Sequence, residues 1–327
     1  MPTTPMEYIW PGIVAAQAIH AAARLRIADL LSSGEKTAAQ LALEAGADPG
    51  ALECLLRALS TFEIFSLTPD GRFANTPLSD QLRADHPQSQ REAALFMPAA
   101  FLWRPIGELH ESVRTGEPAF PRIFGRQFFD YLAANPEDAT VFNTVMTQGI
   151  AYTSPALLAA YDFSRFKCVV DVGGGQGALL REILSATPGL EGILYDLPPA
   201  VAHAPEVLGS DIAARCRIVS GSFFDSVPEG GDLYIMKGVI HDWPDEDALK
   251  ILRNMRRAMG QAGMLLLIEN LVDAPARPVG AMELLMLVIG GRERKEADFR
   301  SLLAGAGFEM ARIEPAATSS LIECRPV

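Results

Sequence analysis

The sequence predicts an α/β protein: a doubly wound, mostly parallel sheet preceded by a mainly helical N-terminal domain. Three observations carry that expectation. Beyond residue 163, short β-branched runs alternate with helical patterns, as expected of parallel strands joined by crossover helices. The first such run ends at Val172 in Gly173-Gly174-Gly175-Gln176-Gly177, and a helical pattern follows at once. The first hundred residues instead show helix signals and a single hairpin signal. The expected division is therefore 1–100 and 101–327, with 101–160 a helical segment leading into the sheet.

Residues 13–31 are Ala-rich and apolar nearly all round, which predicts a helix buried on several faces. Thr37-Ala38-Ala39-Gln40 has the form of a capping box and opens a second helix. Asp48-Pro49 starts a third, whose Leu52, Leu55, Leu56 and Leu59 share one face. Residues 64–67 and 72–74, joined by Pro69-Asp70-Gly71, read as a hairpin. Three helices and a hairpin form a winged-helix pattern. Its candidate recognition helix carries one cation, Arg57, so packing or dimerisation is preferred over DNA binding. The stretch 89–161 is helical and rich in aromatic and Met residues. Most of these belong to a core, with Phe101, Trp103 and Phe142 among those available to line an aromatic-substrate pocket.

Strands follow at 168–172, 192–196, 216–220, 232–237, 264–270, 308–315 and 320–325. Helical patterns lie at 178–186, 199–208, 245–258 and 297–306. The short link between the last two strands predicts an antiparallel edge pair.

Composition narrows the function. At 327 residues there is room for two cores. A net charge of −12, with five lysines and no basic run, argues against a nucleic-acid partner. Cys54, Cys168, Cys216 and Cys324 are scattered without a C-x-x-C pair, which predicts reduced thiols in the cytoplasm and no metal site. No uninterrupted apolar stretch approaches the ~18 residues of a membrane span. Residues 1–7 lack the basic start of a signal peptide.

The chemistry gathers at the strand ends. Gly173, Gly175 and Ala178 satisfy G-x-G-x-x-G/A, and Asp196 closes the next strand where an acid can grip a ribose. That predicts a nucleoside cofactor and leaves NAD and S-adenosylmethionine both open. Asp171, inside the strand end, and the compact Gly177 favour the methyl donor, whose cationic groups an acid can meet. Later strands lead to Gly221-Ser222-Phe223-Phe224-Asp225, to Lys237 and then His241-Asp242-Trp243-Pro244, and to Glu269-Asn270. His241 is the best candidate for a general base, since an imidazole titrates at about 6.5. The alternative is a solvated or helix-capping histidine.

Five segments stand in one order: Asp171-Val-Gly-Gly-Gly-Gln-Gly, Tyr195-Asp-Leu-Pro, Gly221-Ser-Phe-Phe, Lys237-Gly-Val-Ile-His-Asp-Trp and Gly290-Gly-Arg-Glu-Arg. Over nearly its whole length the chain resembles the S-adenosylmethionine-dependent O-methyltransferases of the caffeate/hydroxyindole type, which include bacterial polyketide and phenazine tailoring enzymes. The resemblance implies a Rossmann-like methyltransferase domain behind a winged-helix-like domain that forms a homodimer and closes over the partner's active site. It implies methyl transfer from S-adenosyl-L-methionine to a hydroxyl of an aromatic small molecule, leaving S-adenosyl-L-homocysteine. By position, Gly173 and Gly175 would hold the methionine part of the donor, Asp196 the ribose hydroxyls, and Lys237 would contact the cofactor. His241 would be the base, Glu269 and Glu293 the acids that orient and polarise it, with Asp242 beside it. Met146 matches a substrate-lining methionine. The family usually has an acid reaching the adenine amine where this chain has Ser222, which accepts a hydrogen bond with less charge assistance; Phe223 would contact the adenine face. Three alternatives remain: a same-fold enzyme using the bound donor for decarboxylation, hydroxylation or a pericyclic step, an NAD-dependent oxidoreductase, and a ligand-sensing winged-helix regulator.

Overall fold

A computed structural model describes residues 4–274, 280–316 and 319–327. The chain divides into two compact units, Met1–Arg104 and Pro105–Val327.

In the first unit the helix expected over 13–31 is two pieces. It runs Met6–Arg24, and Ile27–Leu30 follows after Arg26 turns into the left-handed region at φ 56°. Its burial also differs from the expectation. Ala18, Ala22 and Ala23 are buried, but Met6, Tyr8, Ile9, Trp10 and Ile13 are exposed. The small residues of the second half let the helix pack closely within the unit, whereas the bulky first half stays open to solvent in the single chain. The capping box forms: Thr37 Oγ1 accepts the Gln40 N–H at 3.3 Å and Gln40 Oε1 accepts the Thr37 N–H at 2.9 Å, starting Ala38–Ala45. Asp48 Oδ1 accepts the Ala51 N–H at 2.8 Å, starting Pro49–Thr61, whose Leu52, Leu56 and Leu59 are buried. The hairpin pairs β1 (Phe65–Leu67) with β2 (Phe73–Asn75), and Phe65 and Phe73 close the small core.

The second unit contains the helices Phe128–Ala134 and Pro136–Ala160 and a seven-stranded sheet. Its strands are β3 (Cys168–Val172), β4 (Glu191–Asp196), β5 (Cys216–Ser220), β6 (Leu233–Lys237), β7 (Met264–Glu269), β8 (Phe308–Ala316) and β9 (Ser319–Pro326). Their order is β5-β4-β3-β6-β7-β9-β8. The first five are parallel, and β9 runs antiparallel to both β7 and β8. The doubly wound sheet and its antiparallel edge pair are thus as expected. Val169 packs among Leu180, Ile183 and Leu184 on one face, while Val170 and Val172 pack with Ile251, Leu252 and Met255 on the other. Burial on both faces is why β3 reads as a continuous apolar run. The helix expected over 199–208 is broken into Pro198–Val201 and Ala204–Leu208. Pro205 has no N–H to return to the Val201 carbonyl, so the ladder cannot run through.

After β3 the chain adds β4 and β5 on one side, then crosses to add β6 and β7 on the other. Strand order reverses between β3 and β6, the switch point at which a doubly wound sheet has its ligand crevice, beyond the carboxyl ends. Among the described residues no helix is long and apolar enough to cross a membrane.

Candidate active site

The β3 end builds one half of the crevice. The Gly173 N–H donates to the Tyr195 carbonyl at 2.8 Å, and the chain then turns away with Gly173 at φ 73°. A Cβ there would lie 2.9 Å from Val239 Cγ2 and 3.7 Å from Phe223 Cε1, so glycine alone fits where three loops converge. Asp196 ends β4. Its Oδ2 accepts the Gly175 N–H at 2.8 Å and its Oδ1 the Leu197 N–H at 2.6 Å. Burial pushes its carboxyl up, and those two N–H groups hold it back. Each oxygen keeps a lone pair for a further donor such as a ribose hydroxyl.

Beneath the turn Asp171 is buried, and its Oδ2 has no hydrogen-bond partner. Burial, helped by the charge of Asp196 and opposed by Lys237, pushes it up to about 7. Lys237, at the end of β6, is lowered by burial and held up by Glu269 and Asp171. Ser222 Oγ accepts the Phe224 N–H at 3.2 Å. Asn254 Nδ2 donates to the Phe223 carbonyl at 2.8 Å, and the Phe223 ring meets Trp243 edge-on at 6.0 Å. A buried carboxyl oxygen without a partner, an open glycine turn and an acid with spare lone pairs suit a cationic, ribose-bearing ligand.

The β6 end builds the other half. A single 3-10 turn, Ile240–Asp242, carries His241. Nδ1 of the ring lies 2.9 Å from Glu293 Oε1 and 3.9 Å from Glu269 Oε2. Nε2 lies 3.6 Å from Asp242 Oδ1, beyond hydrogen-bond length. Glu269 Oε1 accepts the N–H groups of Val239 (3.1 Å) and Ile240 (2.8 Å). Glu293 therefore holds the ring, whereas Glu269 chiefly holds the backbone that carries it. Burial alone would lower His241, but Asp242, Glu269 and Glu293 outweigh it and raise the imidazole to about 10. Asp242 is pushed up to about 7 by burial and by the two glutamates, against the pull of His241. Glu269 is raised by burial, with His241 and its two N–H donors resisting. Glu293 is buried beside the His241 ring.

Of the residues expected to line a substrate pocket, Phe142 packs edge-on to Phe128 (5.8 Å) and Phe129 (6.0 Å), and Phe129 stacks on Trp243 at 5.5 Å. Met146 is exposed on the same helix, Pro136–Ala160. The neighbouring Thr147 Oγ1 donates to Gln176 Oε1 in the glycine turn at 3.1 Å. Phe101 and Trp103 fall in the first unit, where Phe101 is buried with its ring 5.8 Å from Phe96.

Sequence reasoning missed Asn254 and Arg294. The first was visible as an amide among Ile251, Leu252 and Met255 on the apolar face of an amphipathic helix. The second, buried behind the His241 turn, had no signal beyond its place after Glu293.

The glycine turn with Asp196 and the acid-backed imidazole of His241 thus stand on either side of one switch point, the arrangement of a ligand-binding α/β enzyme. The O-methyltransferase domain model matches residues 106–309, and the O-methyltransferase dimerisation domain model matches 8–85. The chain belongs to the S-adenosylmethionine-dependent O-methyltransferase family, which decides between the two cofactors that the glycine turn left open. It is 40% identical to the O-demethylpuromycin-O-methyltransferase of Streptomyces alboniger, over 98% of this chain and 88% of that protein. It is 36% identical to the 8-amino-8-demethylriboflavin N,N-dimethyltransferase of Streptomyces davaonensis, over 94% and 90%. The crystal structure of LaPhzM superposes with a TM-score of 0.94 at 37% identity, covering 98% of each chain. NcsB1 from neocarzinostatin biosynthesis, in complex with S-adenosylmethionine and 2-hydroxy-5-methyl naphthoic acid, gives 0.86 at 34% identity, covering 96% of each.

Proposed function

We propose that this protein transfers a methyl group from S-adenosylmethionine to a hydroxyl of an aromatic small molecule, with His241 as the general base. The observation that carries the reading is the 2.9 Å contact between His241 Nδ1 and Glu293 Oε1. In the neutral ring this contact favours Nδ1–H donating to Glu293, which leaves Nε2 to take a proton from an acceptor. Asp196 holds the ribose hydroxyls, Gly173 and Gly175 let the backbone approach the donor, and Asp171 and Lys237 set the charge beneath it. Phe223 offers its ring to the adenine, and Ser222 a neutral acceptor in place of the family's usual acid. When bound, S-adenosylmethionine supplies a methyl group already activated by its sulfonium and leaves as S-adenosylhomocysteine.

The chain's part is alignment and proton removal. Glu269 fixes the 3-10 turn and Glu293 fixes the ring. Their charges, with that of Asp242, outweigh burial and raise the imidazole above its ordinary value, which makes it a stronger proton acceptor. A cation arriving in the crevice lowers the imidazole and favours the neutral, proton-accepting form. Phe142 and Met146 line the acceptor side.

The protein works as a cytoplasmic homodimer in this reading. Support comes from the dimerisation-domain match and the exposed apolar side chains of Met6, Tyr8, Ile9, Trp10 and Ile13. The free state of all four cysteines agrees with a reducing compartment. Sedimentation as a monomer at micromolar concentration would contradict the dimer.

The test is product mass from a panel of phenols and aryl amines incubated with labelled donor, for wild type and His241→Ala. Loss of phenol methylation by roughly 10²–10⁴-fold supports the base; unchanged turnover removes it. The amines serve a second reading, prompted by the relative named as an N,N-dimethyltransferase. A neutral amine attacks through its own lone pair, so amine methylation that survives His241→Ala would favour nitrogen as the acceptor atom.

A further inference from the structure

Two features behind His241 have no part in the reaction described above: a buried arginine, and a glycine with no room for a side chain. Arg294 is 1% exposed. Its Nη1 donates to the Ile240 carbonyl at 2.8 Å and its Nη2 to the Trp243 carbonyl at 2.7 Å. Nε and Nη2 both reach Asp245 Oδ1, at 2.9 and 2.8 Å. The two carbonyls bracket His241 and Asp242, so one guanidinium spans the catalytic turn from end to end. Just upstream, the Arg292 N–H donates to the His241 carbonyl at 2.6 Å. A Cβ on Gly291 would collide with that same carbonyl oxygen and lie 3.1 Å from the Asp242 Cα. Residues 291–294 thus hold the turn by its carbonyls and by close backbone approach, and Glu293 between them holds the ring.

A guanidinium suits this task because its planar fork presents donors in several fixed directions, whereas an ammonium is a single point with three rotatable donors. A buried cation is costly even when paired, and an apolar side chain would fill the space without meeting either carbonyl.

We propose that Arg294, with Gly291 as its steric counterpart, is a positioning residue that sets the seat of the His241 turn so that Nδ1 meets Glu293 while Nε2 is presented to the acceptor. This rests on the reading of His241 as the base. Arg294 touches no reacting atom; it acts through His241.

The experiment compares Arg294→Lys, Gly291→Ala and His241→Ala in the full chain. It measures unfolding temperature, donor Kd by calorimetry, and the pH profile of kcat on an accepted phenol. Arg294→Lys and Gly291→Ala are expected to lower kcat roughly 10–100-fold and to leave donor Kd unchanged. They also move the ionisation of His241 down by about one pH unit or more as its hold on Glu293 loosens, while Asp242 and Glu269 remain beside it. A kcat loss that only follows the folded fraction, with the ionisation in its wild-type place, overturns the proposal. If Arg294→Lys does not fold, Gly291→Ala carries the same test, since it displaces the His241 carbonyl while keeping every side chain that grips the turn. Wild-type turnover in His241→Ala would sink the base itself. An inactive His241→Ala beside wild-type kcat and ionisation in the other two would sink the positioning role alone.

Discussion

Replacing Glu293 by glutamine keeps an oxygen 2.9 Å from His241 Nδ1 and removes the charge that oxygen carries. Two unit charges about 4 Å apart at an effective dielectric of about 20 attract by roughly 4 kcal/mol, the equivalent of about three pKa units. Asp242 at 3.6 Å and Glu269 at 3.9 Å remain and soften the change, so the expected fall is about 1–3 units. The sign follows from the charge: without Glu293 the imidazolium loses a stabilising anion and gives up its proton at lower pH. From a starting position of about 10, the ionisation moves toward the neutral range. The assay is a histidine NMR titration, with His241 assigned by its loss in His241→Ala, run beside the pH profile of kcat. An ionisation that stays in place or rises would refute the electrostatic account of the base.

Asp196→Ala removes the carboxylate proposed to hold the ribose and also frees the Gly175 N–H it holds at 2.8 Å. Hydrogen bonds to charged groups contribute about 1.5–3 kcal/mol, so calorimetry should find donor Kd raised roughly 10–100-fold, with acceptor preference unchanged. Gly173→Ala puts a Cβ 2.9 Å from Val239 Cγ2 at φ 73°, a backbone strain of about 1–2 kcal/mol before the clash is counted. It should lower both unfolding temperature and donor affinity; wild-type values for both would mean that the turn has slack. Stability should also fall with pH. His241 is raised from 6.5 to about 10, so its contribution is complete below about 6.5 and lost as pH rises through about 10. Asp171 and Asp242, raised from 3.8 to about 7, lose theirs as pH rises through about 7. Urea unfolding of wild type and His241→Ala between pH 7 and 10 isolates the histidine part; equal slopes would refute it.

Much of the fold was legible in local sequence because each signal is a short-range constraint. The capping box at Thr37, the run of Val169, Val170 and Val172, and the helix Asp245–Ala258 follow from periodicity and from side chain to backbone bonds a few residues apart. The breaks were less visible. Arg26 enters the left-handed region without being glycine, and Pro205 splits a helix whose apolar pattern runs straight through it. In the site, Asp171, Asp196 and His241 stood out because each stands at or just beyond the carboxyl end of a strand, where a doubly wound sheet collects its ligands.

By itself, then, the sequence determined the strands, their parallel winding and the acids and imidazole at their ends, since strand and helix periods are properties of neighbouring residues. Only the tertiary structure decided how those groups divide the work. Glu269 and Glu293 lie 24 residues apart in the chain and look alike in sequence, yet one grips the backbone of the His241 turn and the other its ring. That distinction, like the grip of Arg294 on the same turn, depends on distances of a few ångströms between segments about 30 to 50 residues apart. No periodicity encodes such distances; packing of the whole sheet does.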